Sequence, residues 1–218
     1  MKVLIGCESS GIIRNAFILR GHDAISCDFL PSETEGPHIQ GDVLNHLGDG
    51  FDLAIFHPTC TYLTNAAAWA MQDPDYDRWP GVGYHQRVKP GTLVGAVRRA
   101  ARDDALAFVR TLAAAPIPRI CIENPMGAAR RAIGWPCQTI QPYDFGDDAS
   151  KATGLSLKGL PPLQPTAYAQ PRMVNGKPRW ANQTPGGSNN LPPSPDRWKI
   201  RSRTYPGVAK AIADQWGE

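Results

Sequence analysis

Four short apolar runs, at residues 2–5, 24–27, 52–56 and 119–122, punctuate the first 125 positions of this 218-residue chain. Each is too short for a helix, and stretches of helical period stand between them. Over 11–19 the pattern turns Ile12, Phe17 and Leu19 inward. Val97, Ala101, Ala105, Phe108 and Leu112 recur at the same spacing and predict a covering helix that ends before Pro116. This alternation predicts strand-helix-strand units, an α/β doubly wound parallel sheet, whose ligands lie at the carboxyl ends of the strands.

With 42% hydrophobic residues the chain can bury a full core, as one domain with an elaboration or as two small ones. The longest apolar runs fall far short of the roughly 20 residues that span a bilayer. The first is also too brief, and too soon followed by Gly6 and Glu8, for a signal peptide. No membrane association and a cytoplasmic location are expected. Five cysteines (7, 27, 60, 121 and 137), none in a CxxC pair, argue against a disulfide framework and a zinc site. No metal is expected, and a reactive thiol has room. Cys7, Cys27 and Cys121 stand in apolar stretches and read as packing residues.

Beyond Tyr143 the texture changes. Residues 160–195 hold nine prolines and the stretch Gly-Gly-Ser-Asn-Asn, so this segment is largely irregular and takes its shape by docking on the core or on a partner. A second irregular stretch covers 65–95, where Trp69, Trp79 and Tyr84 either wedge into a base stack or pack their own loop. A helix over 205–216 closes the chain, with Val208, Ile212 and Trp216 on one face. The formal charge of +3 conceals an asymmetry: 151–210 contains ten Lys or Arg against Asp196 alone, +9, which leaves −6 elsewhere. Such regional concentration points to a polyanion, nucleic acid above all. Arg197, Lys199, Arg201 and Arg203 are the phosphate candidates; a solvated helix approach is the alternative.

The chemistry-bearing residues stand where the strands end. The first strand runs into Gly6-Cys7-Glu8-Ser9-Ser10-Gly11, a small-residue turn that opens a helix and brings backbone N–H groups near a ligand. The second ends in Asp28, suited to ribose hydroxyls, and Gly41-Asp42 supplies an acid suited to an exocyclic amino group. Together they describe a nucleoside pocket. The third strand leads into His57-Pro58-Thr59-Cys60, where a stiff backbone holds a thiol at the sheet edge. The fourth leads into Glu123-Asn124-Pro125: a buried carboxyl that can donate to a heterocycle nitrogen, an amide that can position a base, and a proline that stiffens the turn. His57 either assists proton transfer or holds the loop.

In this order, glycine-containing turn, ribose acid, Gly-Asp, Pro-x-Cys and Glu-Asn-Pro, the chain resembles the C5-cytosine DNA methyltransferases, and most closely the short phage and prophage members. The family usually has Pro-Pro-Cys and Glu-Asn-Val; Thr59 and Pro125 depart from it. Residues 143–153 are similar to its Gln-x-Arg-x-Arg region, with Lys151 as the one base. Tyr205-Pro206-Gly207-Val208-Ala209 resembles the closing motif that packs against the cosubstrate.

The resemblance implies a Rossmann-like catalytic domain over 1–158 that binds S-adenosylmethionine through Gly6, Glu8, Ser9, Ser10, Gly11, Asp28, Asp42, Pro58 and Gly207. It implies a small target-recognition segment over 159–200, too small for more than a weak or very short sequence preference, and a helix over 201–218 that packs back. Cys60 would add to C6 of cytosine, protonated Glu123 would hydrogen-bond N3, and Asn124 and Lys151 would complete the site. The target, hidden in a stacked duplex, would be flipped out or single-stranded DNA. A monomer in a bacterial host cell is the expected setting. Open alternatives are a free or already modified pyrimidine nucleotide as acceptor, a carboxylated S-adenosylmethionine as donor with Lys151 against the extra carboxylate, or DNA binding without turnover.

Overall fold

The computed structural model describes residues 1–125 and 127–218. Along the chain run β1 (Lys2–Gly6), α1 (Ile12–Ile18), β2 (Asp23–Asp28), β3 (His38–Gln40), β4 (Leu53–Phe56), α2 (Gly95–Ala113), β5 (Arg119–Asn124), α3 (Ala128–Ile133), β6 (Cys137–Ile140), β7 (Thr153–Lys158), β8 (Arg172–Val174), β9 (Lys177–Arg179), α4 (Arg197–Ser202) and α5 (Pro206–Trp216). The first seven strands form one sheet in the order β3-β2-β1-β4-β5-β7-β6. Neighbours from β3 to β5 are parallel, whereas β7 runs antiparallel to both β5 and β6.

This is the doubly wound, Rossmann-like sheet expected, with one correction: a reversed strand separates β5 from β6, so the sheet is mixed. The reversal matters for the site. Because β7 runs backwards, its first residue, Thr153, lies at the edge where the parallel strands end; Asn124 is opposite Gly154 and Ile140 opposite Thr153.

The apolar runs are continuous because both faces are covered. Val3, Leu4, Ile5 and all of Leu53–Phe56 are buried. One face, with Val3, Ile5, Ile55, Cys121 and Leu155, packs under α1 and α5 through Phe17, Val208, Ile212 and Trp216. The other, with Leu4, Ala54, Phe56, Ile120 and Ile122, packs under Leu112 of α2.

Phe17 and Leu112 are buried as expected, but each helix face departs from the expectation at one apolar position. Leu19 is 84% exposed, and α1 buries Ile13, Arg14 and Phe17. Arg14 goes inward because its donors meet the Ser26, Ser32 and Thr34 hydroxyls and the carbonyls of Thr34, Glu35 and Pro37. Val97 is likewise outside, and α2 turns Arg98 inward, where it donates to the carbonyls of Leu93 and Thr61.

The proline-rich segment takes its shape by docking, as expected, although it includes the hairpin β8–β9. The rings of Trp180 and Tyr143 stack at 4.2 Å. Asn182 pairs with the Ser150 backbone in both directions, each bond 2.9 Å, and donates to the Tyr205 hydroxyl. In the other irregular stretch Trp69 meets Tyr84 and His85 edge-on, so these aromatics pack against one another. Among the described residues no helix is long and apolar enough to cross a membrane.

Candidate active site

Two groups of residues adjoin at the carboxyl edge of the sheet. The first surrounds the turn after β1. Cys7 takes a left-handed conformation, φ 58°, and its N–H donates to the Cys27 carbonyl. Glu8 folds inward; its Oε1 accepts from Ser10 Oγ at 2.6 Å and from the Ile13 N–H at 3.2 Å. Its Oε2 is buried with no partner among the described residues. Asp28 gives one oxygen to the Leu30 N–H and Asp42 gives one to the Leu44 N–H, leaving each with a second. The Gly41 N–H donates to the Asp28 carbonyl, which ties the two acids together. Their convergence shows in the Cys7 thiol, pushed up to about 12 by burial and by the charges of Asp28, Cys27 and Asp42.

Packing constrains three of the glycines expected to meet the cosubstrate. A Cβ on Gly6 would stand 2.5 Å from the Phe56 ring, so neighbouring β4 requires glycine there. Gly11, at φ 71°, is required by its left-handed backbone and by the Arg14 guanidinium beside it. Gly207 lies against the Phe145 carbonyl and the Asp147 carboxylate, which accepts its N–H at 3.1 Å; it seats α5 on the loop before β7.

The second group surrounds the loop after β4. Pro58 is buried and Cys60 is exposed. Asn124, which the structure places inside β5 and not beyond its end, donates through Nδ2 to the Pro58 carbonyl at 2.9 Å, while its Oδ1 is buried without a partner among the described residues. The Ala128 N–H donates to the Leu63 carbonyl, and no side chain fits at Gly127 against it. The Cys60 loop is thus fastened to β5 and to the turn beyond it.

Glu123 faces a recess of about 410 Å³, mouth included, with His57, Lys151, Thr153 and Tyr205 among its lining residues. His57 Nδ1 lies 3.3 Å from Glu123 Oε2, and His57 Nε2 is buried without a partner among the described residues. Burial alone would raise the Glu123 carboxyl, but the hydrogen bond and charge of His57, the charge of Lys151 and the Thr153 hydroxyl outweigh it and hold the carboxyl below its usual range. The resting form is therefore the carboxylate. Partial desolvation and the Glu123 charge push the Cys60 thiol up, while a backbone hydrogen bond, Lys151 and Arg201 pull the other way. Lys151 also donates through Nζ to the Arg203 carbonyl.

The basic candidates separate into two pairs. Arg203 and Lys199 are held by Glu33, which accepts from Arg203 Nε at 2.9 Å and stands 3.4 Å from Lys199 Nζ. Arg197 donates to the Leu191 carbonyl, and neither Arg197 nor Arg201 has a carboxylate partner among the described residues. Sequence reasoning missed Glu33, since a lone acid in a polar loop gives no periodic signal, and Arg14, a charged residue within α1 that reads as solvated. The inward phase of Arg14, between Ile13 and Phe17, was the available clue.

No family model and no curated protein matches the chain. Among solved structures it is similar to a DNA modification methyltransferase encoded within a prophage of E. coli, at 12% identity and a TM-score of 0.45 over 81% of this chain and 53% of that one. It is also similar to the methyltransferase EhMeth of Entamoeba histolytica, at 13% identity and a TM-score of 0.45 over 78% and 58%. The chain thus spans little more than half the length of these structures.

Proposed function

We propose that the chain is an S-adenosylmethionine-dependent DNA cytosine-C5 methyltransferase that works through a covalent Cys60 adduct. The observation that carries this reading is a buried carboxyl, Glu123, that shares one recess with His57 and Lys151, on a strand whose next residue, Asn124, holds the loop of the exposed Cys60 thiol through the Pro58 carbonyl.

The turn after β1 fits the methyl donor. The unpartnered Glu8 Oε2 and the free oxygens of Asp28 and Asp42 are acceptors for the amino and hydroxyl groups of such a molecule. Bound there, the donor supplies an electrophilic methyl carbon on a sulfonium. Cys60, once deprotonated, forms a C–S bond to C6 of cytosine, and the C5–C6 electron pair moves toward N3. Glu123 favours this shift by donating a hydrogen bond to N3, which its resting carboxylate can do only after taking up a proton as the base binds. Asn124 keeps the Cys60 loop in register with Glu123 through Pro58. C5, made nucleophilic by this shift, then bonds to the methyl carbon as its bond to the sulfonium sulfur breaks and the donor leaves as a neutral thioether. Loss of the C5 proton to a base and departure of the Cys60 thiolate restore the ring.

The basic segment supplies phosphate contacts, and DNA is the acceptor this favours over a free nucleotide. Nothing around Lys151 favours a carboxylated donor, since its ammonium already serves Glu123 and the Arg203 carbonyl. The test is a DNA strand with 5-fluorocytosine, whose C5 carries no proton to lose. With the donor present it should form a denaturation-resistant adduct on Cys60, and an absence of adduct despite binding of both ligands contradicts the covalent route.

A further inference from the structure

Helix α4 buries none of its residues. Trp198 is 60% and Ile200 42% exposed, although the rest of the helix, Arg197, Lys199, Arg201 and Ser202, is polar and mostly cationic. Polar contacts fasten this part of the chain: Glu33 to Lys199 and Arg203, Lys151 Nζ to the Arg203 carbonyl, and Arg197 to the Leu191 carbonyl. A large aromatic more than half exposed among cations calls for a partner with both negative charge and flat apolar faces. The location is as informative as the composition, because Lys151, which lines the recess of Glu123 and His57, donates to the Arg203 carbonyl directly after α4.

We propose that α4 is the docking element for unpaired DNA beside the target nucleotide, with Trp198 stacking on a neighbouring base and Arg201 holding the phosphate between them. A duplex keeps its bases stacked on one another and offers Trp198 no face without first opening. The surface therefore selects single strands, or a duplex already opened at the target. Lys199 and Arg203 join the phosphate contacts when the strand displaces Glu33. This rests on the reading of DNA as acceptor and adds to it the strand form and the residue that recognises it.

The experiment measures binding without the methyl donor, so that it stands apart from turnover. A labelled single-stranded oligonucleotide and its duplex are titrated by fluorescence anisotropy with the wild type, Trp198→Ala, Trp198→Phe and Arg201→Ala. Trp198 is exposed, so circular dichroism of Trp198→Ala should match the wild type and exclude a folding defect. The wild type should prefer the single strand. Trp198→Ala should lose about 10-fold or more of that affinity with an unchanged salt slope, Trp198→Phe should recover most of it, and Arg201→Ala should lower the salt slope by about one phosphate contact. Undiminished single-strand binding by Trp198→Ala overturns the proposal, as does self-association that Trp198→Ala abolishes while DNA binding persists. Trp198-dependent binding with no methylated product would retain this inference and remove the proposed reaction; methyl transfer to DNA with wild-type binding by Trp198→Ala would do the reverse.

Discussion

Arg203 reaches across 170 positions of sequence to donate its Nε–H to Glu33 at 2.9 Å. Glu33 also accepts from Ser9, in the turn after β1, and lies beside Lys199. One carboxylate therefore joins the turn assigned to the methyl donor and the segment assigned to DNA. Burial raises the Glu33 carboxyl, but Arg203 and Lys199 outweigh it and hold it below its usual range.

Glu33→Gln should lower stability at pH 7 by no more than about 1 kcal/mol, because both cations are partly exposed. A depressed carboxyl stabilises above its ordinary range, and that contribution is lost as pH falls through the lowered value. The wild type and the variant should thus differ in melting temperature at pH 7 and converge in acid. The same variant frees two cations, so DNA binding should tighten and depend more steeply on salt.

Arg14 is fully buried, and its guanidinium meets three hydroxyls and three carbonyls. Arg14→Met strands these acceptors and should cost at least about 3 kcal/mol in urea unfolding. Arg14→Lys should recover little, since an ammonium cannot span the loop over residues 32–37 as the fork does. Loss of amide protection in that loop should accompany both.

Gly6→Ala would press a methyl group into the Phe56 ring at the centre of the sheet. A loss of about 1–3 kcal/mol is expected from overpacking. If ligand approach were the reason for glycine here, stability would hold and donor binding alone would fail; calorimetric unfolding with and without donor separates the two.

Cys60 should be a sluggish thiol at neutral pH, its alkylation by iodoacetamide rising as pH increases toward and past the ordinary thiol range. Glu123→Gln removes the neighbouring negative charge and should accelerate alkylation at a fixed pH. Cys121, buried and raised well above the ordinary value, should not react in the folded protein.

The central strands were legible because β1, β4 and β5 are covered on both faces and so read as unbroken apolar runs. β7 was not, since Gly154 and Ser156 alternate with its leucines, and β3 is three polar-flanked residues at an edge. The place of Cys60 followed from the end of β4, whereas Glu123 and Asn124, expected beyond a strand ending at residue 122, are the last two residues of β5. Lys151 came to the same edge only because β7 is reversed, and periodicity carries no strand direction. The helix phases failed at Arg14 and Arg98, where side chains that read as solvated are buried by hydrogen bonds to distant loops.

The most direct measurement is incubation with cytosine-containing DNA and S-adenosylmethionine, followed by digestion and mass spectrometry of the nucleosides. The account predicts a deoxycytidine heavier by one methyl group, made by the wild type and absent with Cys60→Ala although that variant binds DNA. Methylated deoxycytidine formed equally by Cys60→Ala, or none formed by a wild type that binds both DNA and donor, would contradict it.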